Sequence, residues 1–284
     1  MYNYKIVLQY DGGRYDGWQR LGRDGSSNTI EAKIKDIISR MTGEEIDIYC
    51  GSRTEKGVHA FEQTANFKLN TRQKDYELRN YLNRYLPRDI AVLGVEAVDE
   101  RFHSQLNAKA RVYEYRLDTA DIADVFNRRY CYHTFEKPDF NAMRKAAEYF
   151  VGEHDFKAFT TARKSKSTVK RIDNIDILYN EKNQKAAIRI TANDFLHNMA
   201  RLMTGMLIDV GNGIKKPEDV KKALDVVDTK AYVKDNTTEV MLEENEHYSL
   251  ERLVQCKYFE CLKYEIKDEV KIVADESSFV SLVF

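Results

Sequence analysis

The sequence predicts an α+β protein made of two halves, and two observations support this fold class. Alternating strand patterns and one-sided helix patterns occur in the same mixture in both halves of the 284 residues. With 43% hydrophobic and 32% charged residues, the chain is long and apolar enough for one large domain or two ordinary ones. No repeat of short period is visible in the sequence, which excludes a solenoid.

The first half begins with a strand and a helix. Alternate residues are apolar over residues 4–10, as expected for a strand with one buried face. Apolar residues then recur on one helical face between Ile30 and Met41. Asn28 with Glu31 three residues later resembles a capping box, so we expect the helix to begin there.

Two further strands of the first half flank a short charged loop. Residues 46–50 and 63–69 alternate between apolar and polar side chains, which predicts a strand on each side of residues 53–60. A helix over residues 75–85 and a strand that includes Ile90 complete this half. The predicted order is strand, helix, strand, strand, helix, strand.

The second half repeats this mixture of elements. Strands are predicted at residues 112–117, 172–178 and 186–191. Helices are predicted at residues 139–150, at about 194–210, and from Pro217 onward. We expect a large ligand to bind in a cleft between two such halves.

The charge distribution supports nucleic-acid binding only weakly. The net charge is −1, whereas phosphate binding depends on clustered Lys and Arg. Basic runs do occur at residues 14–23, 128–129 and 163–171, and acidic residues gather at 239–251 and 265–275. Such runs are usually solvated faces, so the asymmetry alone does not identify a partner.

The cysteine and histidine patterns predict no metal site. The four cysteines form no CxxC pair, and the six histidines have no ligand-like spacing. A disulfide framework is not expected either. Because no long apolar run or signal-peptide pattern occurs, we expect a soluble, cytoplasmic protein.

Residues 53–60, Arg-Thr-Glu-Lys-Gly-Val-His-Ala, form the most informative segment of the chain. They lie between two predicted strands, where catalytic side chains are common, and Gly57 permits a tight turn or a close ligand approach. The plain alternative is an exposed charged turn that makes weak ion pairs. Considered alone, these residues favour that alternative.

Six segments of the chain, in order, resemble those of the TruA-type tRNA pseudouridine synthases. Residues 53–60 resemble the signature R-T-D-x-G-V-H-A, and Glu55 stands at the position of the catalytic Asp of that family. The other similar segments are residues 10–20, 28–31, 102–115, 154–170 and 193–201. Because the segments follow the order of the family, the chain is identified as a member of it.

The resemblance implies the pseudouridine synthase fold. In that fold, two RRM-like (ferredoxin-like) halves have antiparallel or mixed sheets that meet at a central cleft. We therefore expect an N-terminal domain over residues 1–107, a C-terminal domain over residues 108–254 and a strand-like extension over residues 255–284. Members of the family usually form a homodimer that holds tRNA between its subunits. The sequence identifies no other protein partner and no membrane association.

The resemblance also implies a reaction that needs no cofactor. The family isomerises uridine to pseudouridine in the anticodon stem-loop, after the nucleotide has left its stack. A carboxylate acts as a nucleophile at C1′ or as a base at C2′, and the resemblance assigns this place to Glu55. Arg201 is expected to pair with the carboxylate and keep it ionised. Tyr113 is expected to stack on the uracil and to relay the C5 proton.

Arg201 has an independent physical argument for a site role. It lies on an otherwise apolar helix pattern with Phe195 and Met199, and an inward-facing Arg needs an anionic partner. Tyr113 lies in a strand pattern, where a tyrosine more often packs as an ordinary core or cross-strand residue. Trp18 is interpreted as a core aromatic rather than a base-stacking platform.

Nine residues are candidates for RNA contact, because they lie in the signature or in the similar segments and basic runs. These residues are Arg14, Arg20, Arg53, Thr54, Lys56, His59, Arg111, Lys166 and Lys170.

The departures from the family pattern leave two functions open. Glu55 in place of Asp moves the carboxylate by roughly 1 Å, and a misplacement of that size costs on the order of 100-fold in rate. Lys56 stands where Ala is usual and is expected to draw Glu55 into an ion pair, and Ser52 replaces a common Gly. One function is an active synthase that uses Glu55. The other is an impaired relative that acts as an RNA-binding protein or tRNA chaperone. The first is favoured by the retained pocket residues, Arg53, Thr54, Gly57, Tyr113 and Arg201.

Overall fold

The structure is a computed structural model that describes residues 1–19, 26–161, 167–225, 240–244, 248–255 and 260–266. The chain divides into two compact units, Met1–Val227 and Asp228–Phe284. The first unit contains two sheets with their helices, and the second contains a three-stranded sheet. No helix within the described ranges combines the length and apolarity needed to cross a membrane.

The first sheet has four antiparallel strands. Its strands are β1 (Tyr2–Tyr10), β2 (Ile48–Cys50), β3 (Ala60–Leu69) and β4 (Ile90–Val98). Its two helices are α1 (Ile30–Thr42) and α2 (Asp75–Tyr85). The spatial order β2-β3-β1-β4 places β1 between β3 and β4. The order along the chain is the predicted strand, helix, strand, strand, helix, strand, which is the ferredoxin-like arrangement.

Helix α1 begins one residue later than predicted. Its N-cap is Thr29, whose hydroxyl accepts a hydrogen bond from the main-chain N–H of Ala32 at 3.3 Å. The side chain of Asn28 instead donates to the carbonyl of Arg14 at 2.7 Å. Asn and Thr are both good cap residues, so the sequence pattern could not separate the two positions.

The core of the first half lies between the sheet and its two helices. The inward residues of β1 are buried, and both Ile6 and Leu8 have no exposed surface. Trp18 is 1% exposed within the same core, so its interpretation as a core residue is confirmed. Burial of each large aliphatic side chain contributes about 1.5–3 kcal/mol, which explains why the alternating pattern fixes the register of this strand.

The second sheet has five strands of mixed direction. They are β5 (Arg111–Asp118), β6 (Tyr132–His133), β7 (Gly152–Asp155), β8 (Val169–Asn180) and β9 (Lys185–Ala192). Their spatial order is β6-β5-β9-β8-β7, in which β5 and β6 are parallel and the other neighbours are antiparallel. The run β5-β9-β8 repeats the run β1-β3-β2 of the first sheet, and β6 and β7 add the two edge strands. The predicted α+β class with antiparallel or mixed sheets is confirmed.

Three helices accompany the second sheet. They are α3 (Phe140–Glu148), α4 (Met199–Gly211) and α5 (Glu218–Asp225). Helix α4 begins about five residues later than predicted, because Asn198 adopts a left-handed conformation with φ of 61°. Phe195 and Leu196 pack against the core ahead of the helix, and their apolar side chains imitated a helical face in the sequence.

The second unit contains three short antiparallel strands. They are β10 (Val240–Glu244), β11 (Tyr248–Gln255) and β12 (Glu260–Ile266), paired in the order β10-β11-β12. Strand β12 falls within the region that the sequence pattern predicts to be strand-like.

Candidate active site

Two glycines of the first half let the chain pass directly against the loop between β2 and β3. A Cβ on Gly12 would lie 1.9 Å from the carbonyl oxygen of Val58. A Cβ on Gly17 would lie 2.8 Å from the carbonyl oxygen of Thr54, and Gly17 has a φ of +98°. The N–H of Trp18 donates to the same Thr54 oxygen at 2.8 Å. The segment around residues 10–20 therefore positions the loop that carries Glu55.

A buried polar cluster supports this loop from below. The hydroxyls of Tyr10 and Thr54 lie 2.7 Å apart, and Thr54 is only 8% exposed. The Gln63 amide donates to the carbonyl of Ser52 at 2.5 Å and accepts from the N–H of Ser52 at 3.3 Å. Burial raises the pKa of Tyr10, so its phenol stays neutral and available for hydrogen bonding. Thr54, a predicted RNA contact, lies inside the supporting cluster.

The carboxylate of Glu55 lies at the N-terminus of α4. Its Oε1 accepts a hydrogen bond from the main-chain N–H of Asn198, and its Oε2 forms an ion pair with Arg201 Nη1 at 3.5 Å. Arg201 Nη2 also donates to the carbonyl of Lys56 at 2.9 Å. The positive end of a helix and a guanidinium both attract a carboxylate, so these contacts hold the side chain in place. Glu55 keeps 21% of its side-chain surface exposed, so a ligand can reach it.

Asn198 holds the left-handed turn that aims its N–H at Glu55. Its side-chain amide donates to Thr161 Oγ1 at 2.8 Å, and its carbonyl accepts the N–H of Leu202 at 3.0 Å. The N–H of Thr161 in turn donates to the carbonyl of His197 at 3.3 Å. Asn tolerates positive φ better than most residues, which suits it to this position.

Lys56 points away from the carboxylate of Glu55. Its Nζ lies 2.8 Å from Asp16 Oδ1, and its side chain is 79% exposed. The hydrogen bond with Asp16 raises the pKa of Lys56 and lowers the pKa of Asp16. The expectation that Lys56 draws Glu55 into an ion pair is therefore wrong, because Asp16 takes the ammonium group.

Tyr113 reaches the same loop from β5. Its hydroxyl lies 3.0 Å from Ser52 Oγ, and its ring makes an edge contact with Phe195 at a centroid distance of 4.7 Å. Burial raises the pKa of Tyr113, and the negative charge of Glu55 raises it further. The phenol is thus protonated at neutral pH and can donate a hydrogen bond where β5 meets the loop.

One family model matches segments in both halves of the chain. A family model described as tRNA pseudouridine synthase matches residues 6–106 and 146–248, which include the Glu55 loop and the start of α4. This chain belongs to the tRNA pseudouridine synthase family. Tyr113 and Arg111 lie between the two matched segments.

Curated relatives cover most of the chain. A protein of a Bacillus species named tRNA pseudouridine synthase A is 46% identical over 229 residues, covering 80% of this chain and 92% of the relative. A Bacillus cereus protein named tRNA pseudouridine synthase A 2 is 42% identical over 226 residues, covering 79% and 91%. A Clostridium tetani protein named tRNA pseudouridine synthase A 1 is 42% identical over 225 residues, covering 79% and 90%.

One solved structure gives a much weaker likeness. It is titled "Crystal Structure of a Cbf5-Nop10-Gar1 Complex" and has a TM-score of 0.29 at 10% sequence identity. The match covers 72% of this chain and 54% of that chain, so this chain spans about half of its length. A likeness at this level supports no inference about this member of the family.

Two cations that were predicted to contact RNA are engaged by groups of the protein. Arg111 Nε donates to the carbonyl of Gly51 at 2.6 Å, and its Nη1 donates to the carbonyl of Asn193. Lys170 Nζ lies 2.9 Å from Asp194 Oδ2, with 16% of its side chain exposed. Both cations are bound to acceptors of the protein and have little exposed surface, which favours a structural role for both.

The remaining RNA candidates within the described residues lie on or near the loop in varied settings. Arg14 is exposed and forms an ion pair with Asp89 at 2.7 Å. His59 Nδ1 lies 2.9 Å from Asp11 Oδ1. Arg53 is exposed and makes no hydrogen bond or ion pair with any residue that the structure describes. Two further candidates lie outside the described residues, namely Arg20 and Lys166.

Three residues of the site were not singled out from the sequence. Gln63 braces the loop, Asn198 supplies an N–H to Glu55, and Asp194 lies beside two cations. Gln63 occupies an inward strand position, where a buried amide signals a fixed hydrogen-bond network. Across the described ranges, no group of three or more His, Cys, Asp or Glu side chains is arranged to hold a metal ion.

Proposed function

We propose that this chain isomerises uridine to pseudouridine in tRNA and that Glu55 supplies the catalytic carboxylate. The observation that carries the proposal is the seating of Glu55 between the Asn198 N–H and the Arg201 guanidinium. The names of the relatives, tRNA pseudouridine synthase A, support tRNA as the substrate. Both proposed domains contribute to the site, since Glu55 comes from residues 1–107 and its partners come from residues 108–254.

The proposed reaction is an isomerisation in which atoms and charge balance. The C1′–N1 bond of the uridine breaks, the uracil turns, and a C1′–C5 bond forms. C5 then loses a proton and N1 gains one, so no cofactor or second reactant is required. The target nucleotide must leave its stack before Glu55 can reach the sugar.

Glu55 meets the electrostatic requirement of either proposed route. Attack at C1′ and proton abstraction at C2′ both need an ionised carboxylate. The N–H of Asn198 and the guanidinium of Arg201 contact the carboxylate, and Lys56 does not compete for it because Lys56 pairs with Asp16. The longer Glu side chain is matched to the position of the Asn198 N–H, which supports Glu55 as a working replacement for Asp.

Tyr113 is the group that we assign to the proton at C5. Its pKa is raised by burial, so the phenol is neutral at the start of the reaction. Ser52 Oγ lies 3.0 Å from the phenol oxygen and orients it. A neutral phenol held in this way can relay the proton, because it takes the C5 proton as it gives its own proton to Ser52 Oγ.

The finer features of the proposal follow the family resemblance. We place the target uridine in the anticodon stem-loop and the protein in the cytoplasm as a homodimer. Arg53 is the favoured phosphate contact, because it is exposed beside Glu55 and has no partner within the described ranges. Sedimentation of the purified protein with and without tRNA tests the dimer directly.

The proposed function is tested with unmodified tRNA transcripts that carry tritium at C5 of uridine. Release of tritium, with mass-spectrometric mapping of pseudouridine, is expected from the wild type. Glu55→Gln removes the negative charge at nearly constant size and should abolish release while tRNA binding is retained. Glu181→Gln, at an exposed turn, serves as the matched control.

The outcomes separate the two functions considered from the sequence. Full activity of Glu55→Gln would remove Glu55 from the mechanism. A wild type that binds tRNA but converts no uridine in any transcript would favour an RNA-binding role over catalysis.

A further inference from the structure

Arg111 connects the two segments that bring Glu55 and Asn198 together. Its Nε donates to the carbonyl of Gly51 at 2.6 Å, and its Nη1 donates to the carbonyl of Asn193. Gly51 lies shortly before Glu55 in the loop, and Asn193 lies shortly before Asn198. One guanidinium therefore fixes the starting points of both segments.

The position of Arg111 on β5 also connects it to Tyr113. Residues two apart on a strand lie on the same face, so Arg111 and Tyr113 face the loop together. Gly51 accepts from Arg111, and the next residue, Ser52, lies 3.0 Å from the hydroxyl of Tyr113. The guanidinium thus holds the loop at the place where the loop contacts the phenol.

The charge of Arg111 is balanced inside the protein. Its Nε lies 3.6 Å from Asp194 Oδ1, and Lys170 lies 2.9 Å from the other carboxylate oxygen of Asp194. Only 12% of the Arg111 side chain is exposed. A phosphate contact would need the opposite features, namely an exposed guanidinium with free donors.

A guanidinium can connect the carbonyls of Gly51 and Asn193 in a way that an ammonium cannot. Its donors lie in one plane and point in different directions, so it can bind two carbonyls on separate segments at once. A lysine at position 111 would keep the charge but concentrate it at one point. Replacement of Arg111 by Lys should therefore break the connection between Gly51 and Asn193.

We propose that Arg111 is a positioning residue that sets the distance between the Glu55 carboxylate and the Asn198 N–H. This inference rests on the proposed function. It reassigns a residue whose charge and place in the sequence indicated RNA binding. Its consequence is that loss of Arg111 slows the chemical step and leaves tRNA affinity intact.

The experiment compares Arg111→Lys and Arg111→Gln with the wild type. Single-turnover rates at saturating tRNA are expected to fall on the order of 100-fold, because a misplacement of about 1 Å costs that much. The tRNA Kd and its salt dependence should stay unchanged. A weaker Kd, with a salt slope reduced by about one and an intact saturated rate, would identify a phosphate contact and overturn the proposal.

Two further variants calibrate these readouts. Arg53→Gln removes an exposed cation of the same loop and is expected to weaken Kd and reduce the salt slope. Arg40→Gln removes an exposed guanidinium that pairs with Asp36 on α1 and should change neither quantity. If Arg111→Gln fails to fold, Arg111→Lys carries the test through its saturated rate and the hydrogen exchange described next, because it keeps the charge that sets the salt slope.

Hydrogen exchange separates this inference from the proposed function. Loss of Arg111 should increase amide exchange in peptides that cover residues 51–58 and 193–199 together, with no change in peptides from α1. This measurement needs no turnover, so it decides the inference even if the wild type converts no uridine. Unchanged exchange in both peptides would overturn the positioning role.

Discussion

The carboxylate of Glu55 accepts a hydrogen bond from the main-chain N–H of Asn198, a residue 143 positions later in the chain. This bond joins the loop of the first sheet to the N-terminus of the helix that carries Arg201. Because the donor is a backbone N–H in a left-handed turn, its position depends on the fold and not on a side-chain rotamer. The position of the Asn198 N–H is therefore fixed, and the length of the side chain at position 55 decides whether its carboxylate reaches that N–H.

Glu55→Asp is expected to lower the rate rather than raise it. The shorter side chain withdraws the carboxylate by roughly 1 Å from the Asn198 N–H and from Arg201, which should cost on the order of 100-fold in the single-turnover rate. The tRNA Kd should be unchanged, since the charge is kept. A rapid-quench assay of pseudouridine formation at saturating tRNA measures the effect.

The matched control for this substitution is Glu181→Asp in the exposed turn between β8 and β9, which should leave the rate unchanged. A faster rate for Glu55→Asp than for the wild type would contradict the fit between Glu55 and Asn198. It would mean that the site is built for the shorter acid and that Glu is an impairment.

Gly17→Ala should displace the Glu55 loop and destabilise the fold. The new methyl group would lie 2.8 Å from the Thr54 carbonyl oxygen, and the φ of +98° is unfavourable for Ala. Backbone strain of this kind costs about 1–3 kcal/mol, measurable by urea denaturation, and the rate should fall with it. Gly205→Ala is the control, because Gly205 lies in α4 with open space around it and should gain up to about 1 kcal/mol.

The outcome that would contradict this prediction is a stable Gly17→Ala protein with wild-type turnover. Such a result would show that the close packing of Gly17 on the loop is not required for the position of Glu55.

Stability should fall as the pH rises above about 9. Burial raises the pKa of Tyr10 and of Tyr113 above the ordinary value of 10.0, and it raises the pKa of Cys50 to about 12. The unfolded chain releases these protons at a lower pH than the folded protein does, so it binds fewer protons in this range. The free energy of unfolding therefore decreases through the window from about pH 9, where Cys50 begins to contribute, upward.

Tyr10→Phe tests this linkage. The variant should be less stable by about 1 kcal/mol at neutral pH, because Thr54 loses its partner. Between pH 10 and 11, however, the free energy of unfolding should decline less steeply for the variant than for the wild type. The difference between the two slopes should be about 1 kcal/mol per pH unit, since one titrating group is gone. Urea denaturation across this pH range provides the measurement. Tyr85→Phe, at an exposed position, is the control, and equal slopes for both variants would refute the explanation.

The elements of the first half were accessible from the sequence because one face of each is buried. The alternation over residues 4–10 follows from a strand whose inner side chains have almost no exposed surface. The same reasoning gave α2 its observed limits, Asp75–Tyr85. The periodicity of apolar residues placed the start of α4 too early. Phe195 lies in an irregular segment before the helix, but it packs against the core and has the spacing of a helical residue.

Within the site, only contacts between two side chains could be predicted from the sequence. The pair of Glu55 and Arg201 follows from opposite charge, so it can be inferred from residue types, but the Arg201 side chain is 48% exposed and not inward-facing as its apolar helix pattern suggested. The roles of Asn198 and Arg111 depend on main-chain N–H and carbonyl groups, which every residue carries. No residue type indicates such a contact in the sequence. Arg111 was therefore predicted, from its charge, to contact RNA.

Ser52→Ala should slow the chemical step by acting on Tyr113. Removal of the hydroxyl deletes the 3.0 Å contact with the phenol, and one hydrogen bond is worth about 1 kcal/mol, or about 5-fold in rate. The tRNA Kd should not change, because Ser52 acts through Tyr113. Single-turnover rates of Ser52→Ala, Tyr113→Phe and the double variant form the measurement.

Ser39→Ala on α1 is the control. In the double variant the Ser52 substitution should have no further effect, since the hydroxyl that it orients is already missing. Independent, additive losses would show that Ser52 contributes to the rate by another route.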